Sequence, residues 1–319
     1  MQIAVLVVDG LFDSGLSSVL DVLSTANTLR DQIENAPLPF EVTIVGNGQE
    51  IRTGHGLRLK TTAVTKLRAK PDLLVMPAVG LRPAREVVDC VRDHPCLSFI
   101  QELEQADVGL ASACSGAFFL AEAGVLDGLA ATTSWWLGAA FRNRYPAVKL
   151  DGSRTLIQDG RVTTAGAAFA HIDLALSVVQ RRSPGLADLV ARHLLIGDRP
   201  SQAAFAVPNL LARANPTMRV FERWVRDHLS EPLQISQAAQ HMGVSERTLQ
   251  RTTAAVVGMT PMDFVHEIRL DHATFLLRTT NHSPDTVAAA VGYQNASTLR
   301  ALVRRRRQSN LSTLRKRAY

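Results

Sequence analysis

The sequence predicts two domains of different class. The first is an α/β domain with a mostly parallel sheet, and the second is an all-α domain with two helix-turn-helix motifs. Three observations predict this. From Gln2 to Arg181, short β-rich runs alternate with helical stretches, which implies a sheet covered on both faces. From Thr217 onward no strand signal survives, and short amphipathic helices are broken at Pro232, Gly243, Gly258 to Pro261, Ser283-Pro284 and Gly292. The charge is also divided. Residues 215–319 hold 15 Arg and Lys against 8 Asp and Glu, a net +7, whereas residues 1–214 hold 20 against 21, a net −1. A near-neutral body with a basic C-terminal unit points to a nucleic-acid or other anionic partner for that unit.

In the first domain, Gln2–Val8 is a continuous branched apolar run and reads as a buried strand. Leu16–Leu29 carries Leu16, Val19, Leu20 and Leu23 at helical spacing. Phe40–Val45 and Asp72–Met76 are further strands, the latter ending at Pro77. Arg85–Arg92 and Leu97–Gln105 read as helices. Val108–Ala113 is a fourth strand, and a helix begins directly after it at Gly116. Thr155–Gln158 and Arg161–Thr164 flank Asp159-Gly160, a hairpin turn signal. Phe169–Arg181 reads as a long helix and Leu186–Ile196 as another, after which Pro200, Pro208 and Pro216 punctuate the chain. The expected organisation is a domain over 1–182, a helix-containing linker region over 183–215, and a DNA-binding domain over 216–319.

Several function classes are excluded. Cys90, Cys96 and Cys114 cannot build a disulfide framework, which fits a reducing compartment. The start MQIAVLVVDG lacks the basic region of a signal peptide, and the apolar runs are too short to span a bilayer. A soluble cytoplasmic protein with no membrane partner is expected. His55, His94, His171 and His193 are scattered, and neither His-x-x-x-His nor Cys-x-x-Cys occurs, so no metal is expected. Without a Gly-x-Gly-x-x-Gly or P-loop pattern, no nucleotide cofactor is expected either.

The C-terminal region repeats itself weakly. Ser236–Gln250 and Asp285–Arg300 each run through an Ala cluster, a Gly, a polar turn and a Ser opening a helix. A helix-turn-helix needs these parts: small residues where the helices meet, a turn residue, and polar side chains early in the second helix to face base edges. The first copy supplies Ser245 as a helix cap, then Arg247, Gln250 and Arg251. The second supplies Ala296, Ser297, Thr298, Arg300, Arg304 and Arg305. Between them, Pro261–Thr279 is long enough for one rigid connecting helix. Arg pairs bidentately with guanine and Gln with adenine, so Arg247, Gln250 and Arg300 are the expected base readers. Arg251 suits either a base or a phosphate, and the run Arg304 to Arg307 reads as a phosphate clamp on double-stranded DNA.

From Arg219 to Tyr319 the chain resembles the AraC family of bacterial transcription activators. The residues that carry this are Val244 to Arg251, Gly258 to Pro261, Val287-Ala288, Val291 to Tyr293 and Ser297 to Arg300. There are departures. Thr253 and Val303 stand where the family usually has Phe, and Gln308 to Arg315 replaces its usual closing pattern Gly-x-Ser-Pro-x-x-Tyr-Arg. Losing an aromatic anchor should weaken packing by a few kcal/mol unless something compensates.

Cys114 ends a predicted strand and precedes a helix, the placement of a nucleophile elbow. The run Ala113 to Phe118, with Asp127-Gly128, Thr132-Thr133-x-Trp135 and Val162 to Gly166, resembles the DJ-1/PfpI superfamily. More closely, it resembles the sensor half of GlxA-like regulators. The resemblance implies a flavodoxin-like fold over most of residues 1–182. Enzymes of that superfamily pair the Cys with a carboxylate from the first βα loop and often with an adjacent His. Here Gly15 falls where the carboxylate would be, Asp13 is nearby but offset, and Ser115 and Ser134 replace expected His residues. A nucleophile without base or carboxylate is poorly activated. Cys114 is therefore read as a structural or pocket residue, a redox-sensitive thiol or a nucleophile, in that order.

The expected function is a homodimeric DNA-binding regulator that responds to a small-molecule effector and contacts RNA polymerase if it activates. Asp13, Gly15, Cys114, Ser115, Ser134, Trp135 and His171 are the expected effector pocket. Relatives by resemblance respond to amino-acid or quaternary-amine metabolites. The alternatives are a cysteine-dependent hydrolase, amidase or hydratase using Cys114, and a ligand-free architectural DNA binder.

Overall fold

A computed structural model describes residues 1–67, 69–80, 83–197, 202, 215–307 and 310–316. The chain divides into two compact units, Met1–Ala203 and Ala204–Tyr319.

The first unit runs β1 (Gln2–Leu6), α1 (Asp13–Leu29), β2 (Glu41–Gly46), β3 (Glu50–Arg52), β4 (Arg58–Lys60), β5 (Thr62–Ala63) and β6 (Leu73–Met76). It continues with α2 (Ala84–Val91), α3 (Leu97–Gln105), β7 (Gly109–Ala113), α4 (Gly116–Glu122), β8 (Ala130–Ala131) and α5 (Gly138–Arg144). It closes with β9 (Lys149–Leu150), β10 (Leu156–Asp159), β11 (Val162–Ala165), α6 (Ala170–Arg182) and α7 (Pro184–His193). Seven strands form one sheet in the order β10-β11-β7-β6-β1-β2-β5, and only the β10–β11 pair is antiparallel. The alternation in β1 explains its continuous apolar run. Ala4 and Leu6 join the core beneath α2, α3 and α4, whereas Ile3 and Val5 join the core beneath α1, α6 and α7.

The expected strands and helices form, with ends shifted by a few residues, and the Asp159-Gly160 turn joins β10 to β11 with Gly160 at φ 56°. The short hairpin β3–β4, the pair β8–β9 and helix α5 have no counterpart in the sequence reading. Helix α7 also differs from expectation. It is capped by Ser183, and it buries Leu186, Ala187 and Val190 in the same core as α1 and α6. The helix expected in the linker region thus completes the first unit.

The parallel strands follow the flavodoxin-like order, so the connections after β1 and β6 leave in opposite directions. The segments after those two strands are laced together by Phe12 N–H to Ala78 O at 2.8 Å and Gly80 N–H to Gly10 O at 2.7 Å. Beside them, α4 starts so close to β6 that a side chain on Gly116 would run into the Met76 carbonyl oxygen.

The second unit consists of α8 (Pro216–Asp227), α9 (Ile235–His241), α10 (Glu246–Val257), α11 (Pro261–Thr279), α12 (Pro284–Ala290), α13 (Ala296–Arg307) and α14 (Leu311–Lys316). Side chains of Asn215, Ser245, Thr260 and Ser283 cap four of these helices, and Gly258 ends α10 in the left-handed conformation. Helix α11 is the expected single connecting helix, about 28 Å long at 1.5 Å per residue. Its first half (Phe264, Val265, Ile268) packs with Phe221 and Leu249, and its second half (Leu270, Ala273, Leu277) packs with Val287, Leu299 and Val303. The two positions that lack the family's Phe are both buried. The Thr253 hydroxyl donates to Leu249 O at 2.8 Å and faces Met218 Sδ at 3.5 Å. That bond satisfies the buried hydroxyl locally.

The close approach of α4 to β6 yields a stability prediction. Gly116→Ala should lower the unfolding free energy by about 1–3 kcal/mol through overpacking against rigid backbone. Gly185→Ala, where a new Cβ meets nothing within 4 Å, should be near neutral. Equal chemical-denaturation midpoints for the two variants would contradict the packing argument.

Candidate functional site

The two reading helices present their polar faces as their phases dictate. In α10, Leu249 and Thr253 face inward, while Arg247, Gln250 and Arg251 are exposed beside the Ser245 cap. The Ser245 hydroxyl accepts the Thr248 N–H at 3.1 Å, which fixes the first turn. In α13, Leu299 and Val303 face inward, while Ser297, Thr298, Arg300, Arg304 and Arg305 are exposed. The Asn295 side chain caps this helix by accepting Thr298 N–H at 3.0 Å.

Two expectations need correction. Ala296 is buried, and its N–H is held by Asp285 Oδ1 at 2.9 Å, so it presents no side chain to a duplex. The run Arg304 to Arg307, expected to act together on phosphate, is also divided. Arg306 pairs with Asp263 and, at 3.0 Å, with Glu267. Arg307 pairs with Glu267 at 2.7 Å and Asp271 at 3.0 Å. These two side chains bind α13 to α11, and only Arg304 and Arg305 of the run face outward. The sequence reading missed Arg315. With Arg300, Arg304, Asn310 and Ser312 it lines a groove of about 320 Å³ at the end of α13.

In the first unit the sheet edge divides into a closed floor and an open cleft. Cys114 has the strained backbone of an elbow, with φ 57°. Its thiol is buried and accepts a hydrogen bond from Ser134 Oγ at 2.8 Å, and its carbonyl accepts one from Thr133 Oγ1 at 2.8 Å. Burial pushes the thiol up, outweighing the hydrogen bonds from Ser134 and Ser115, so the thiolate is disfavoured. Ser115 donates to Val79 O at 3.0 Å. A Cβ on Gly15 would sit 2.8 Å from His171 Nε2, so the imidazole fills the space where the family's carboxylate would be. His171 is fully buried. Its Nδ1–H donates to Ala168 O, and its Nε2 accepts Ala78 N–H at 3.1 Å. Burial pushes its pKa down to about 4 against the smaller opposing effect of the Ala168 bond. Of the expected pocket residues, Gly15, Cys114, Ser115, Ser134 and His171 therefore belong to a packed floor, and Trp135 is half-buried.

Asp13 is the exception. It lines a cleft of about 320 Å³ with Gly10, Leu11, Phe12, Gly54, His55 and Gly80, at the switch point of the sheet. Its Oδ2 meets His55 Nδ1 at 2.8 Å, and its Oδ1 is shielded from solvent. His55 comes from the β3–β4 hairpin, which carried no signal in the sequence. Gln202 was also missed. It is buried, and its amide is bonded to Thr133, Arg154 and Trp135 beside the Cys114 floor.

Residues 1–181 match the model of the DJ-1/PfpI family, and residues 238–317 match a helix-turn-helix domain model. The chain belongs to the DJ-1/PfpI family. It carries an AraC-type helix-turn-helix domain at its C-terminal end. Among curated relatives, the HTH-type transcriptional regulator CdhR of Pseudomonas aeruginosa is 28% identical, over 92% of this chain and 84% of its own. The HTH-type transcriptional regulator GbdR of the same species is 25% identical, over 92% of this chain and 78% of its own. The crystal structure of a THiJ/PfpI family protein from Pseudomonas syringae superposes with a TM-score of 0.51 at 20% identity. It covers 62% of this chain and 76% of that one, and supports the fold of the first unit. No helix among the described residues is long and apolar enough to cross a membrane.

The buried imidazole of this DJ-1/PfpI domain makes stability depend on pH. Its folded value of about 4 lies below the ordinary 6.5, so between these values the unfolded chain takes up a proton that the folded chain refuses. The contribution is complete above pH 6.5 and is lost as the pH falls towards 4. His171→Gln should flatten the fall of unfolding free energy across that interval in pH-dependent denaturation. An unchanged slope would show that another group governs it.

Proposed function

We propose that the protein is a sequence-specific DNA-binding transcriptional regulator, a cytoplasmic bacterial homodimer controlled by a small metabolite bound to its DJ-1/PfpI domain. The observation that carries the DNA reading is the pair of capped helices α10 and α13. They turn Arg247, Gln250 and Arg251, and Arg300, Arg304 and Arg305, away from their apolar cores. Arg247, Gln250 and Arg300 are the base readers, and Arg304 and Arg305 supply salt-dependent phosphate contacts. As an activator, the protein would also touch RNA polymerase.

The effector site of this reading is the cleft at Asp13 and His55. A carboxylate on the wall of the cleft, paired with His55, suits a metabolite that brings a cationic hydrogen-bond donor. Such a ligand regulates only if it binds one conformational state more tightly than the other. The cysteine-hydrolase reading is disfavoured because Cys114 is buried, protonated and without a base, while His171 is neutral and both of its ring nitrogens are bonded.

Arg247→Ala should weaken specific operator binding by about 1–3 kcal/mol and relax preference at one base position. Arg304→Ala should weaken binding evenly across sequences and reduce the salt slope by about one. Binding profiles across a randomised operator library check both, and an unaltered profile for Arg247→Ala removes its role as a reader. Cys114→Ser should keep operator binding and induction. A hydrolytic turnover that disappears with this variant would instead establish the enzyme reading.

A further inference from the structure

We infer that the side chain of Gln202 is an internal occupant of a binding slot for a primary carboxamide. A metabolite carrying that group displaces it. This rests on the regulator reading and adds to it a second chemical determinant of the effector.

The slot lies where β11 ends. The Gln202 amide packs flat on Gly166, where a Cβ would meet its Nε2 at 2.5 Å and its Cδ at 2.6 Å. Nε2 donates to Thr133 O at 2.8 Å and Arg154 O at 3.1 Å, with Thr132 Oγ1 at 3.3 Å. On the other side, Trp135 N–H donates to Oε1 at 3.3 Å. The backbone N–H of Gln202 adds a bond to Ser153 O at 2.9 Å, and the residue is only 3% exposed.

The polarity of the walls selects the ligand. Three oxygen acceptors face the two amide protons, and one N–H donor faces the amide oxygen. A carboxylate would set a lone pair against the Thr133 and Arg154 carbonyls. An ammonium would leave the Trp135 N–H unpaired. Only a group with a planar NH₂ and an adjacent oxygen satisfies both sides, and a primary carboxamide is that group. A competing ligand must overcome an intramolecular partner whose effective concentration is on the order of millimolar.

The test uses the full-length protein and propionamide, the free counterpart of the Gln202 side chain, at tens of millimolar, with propionate as isosteric control. The readout is hydrogen exchange at the Trp135 backbone amide, which Gln202 Oε1 protects. Gln202→Ala should speed it by about tenfold or more, and propionamide, not propionate, should restore the protection. Gly166→Ala, whose methyl occupies the slot, should also speed the exchange and should not respond to propionamide. Unchanged exchange in Gln202→Ala, or equal protection by propionate, would overturn the proposal. Operator binding is measured on the same samples. Specific DNA binding with failed slot readouts removes the slot alone. Slot behaviour as described with no specific DNA binding removes the regulator reading and leaves the slot.

Discussion

The arrangement of the first domain depends on one buried imidazole. His171 stands beside Gly15 because that residue has no side chain, and it ties the start of α6 to the segment after β6 through Ala168 and Ala78. Three elements at the carboxyl edge of the sheet are thereby fixed around one ring. The same placement removes the chemistry that the fold supports elsewhere. A carboxylate cannot share the space, and a fully buried imidazole stays neutral with both nitrogens engaged. The neighbouring Cys114 keeps an elbow backbone but has no group to take its proton. An enzyme-like constellation has thus become a packed floor, held by Ser134 and Thr133 instead of being activated by them.

In the second domain the direction of each charge matters more than their sum. Glu267 is almost buried and needs the guanidinium groups of Arg306 and Arg307, since an unpaired carboxylate there would be costly. Those two cations hold α13 to α11 at a fixed pitch. Arg300, Arg304 and Arg305, on the remaining face of the same helix, are then aimed outward together. Part of the basic excess therefore serves rigidity, and only the rest is available to a polyanion.

Much of the fold was legible in the sequence because its signals are strong and local. Continuous branched runs marked the strands buried on both faces, Asp159-Gly160 marked the hairpin, and Ser245 marked the start of the first reading helix. What escaped was short or depended on distant partners. The hairpin β3–β4 is polar and three residues per strand, and β8 and β9 pair over two residues each, so neither has a period to detect. His55 was missed with that hairpin. Ala296 was placed on the reading face because the phase of α13 follows from the Asn295 cap and the Asp285 bond. Arg306 and Arg307 look like their neighbours in a run of four, and only the acidic ladder Asp263, Glu267, Asp271 on another helix tells them apart. Gln202 carried no signal, since a single amide in a Pro- and Ala-rich stretch has no pattern.

These features separate two tasks that a sensor must combine, recognition and response. Around Cys114 the floor is close-packed, and Ser115, Thr133, Ser134 and His171 each have a fixed partner, so a ligand there finds little to reorganise. The cleft at Asp13, the proposed effector site, is framed by backbone bonds of 2.7–2.8 Å between Gly10, Gly80, Phe12 and Ala78, which resist movement. The amide of Gln202 is different in kind. Three of its four hydrogen bonds are 3.1 Å or longer. A ligand shifts an equilibrium only where the two states differ in contacts, and a displaceable side chain offers such a difference at least cost to the core.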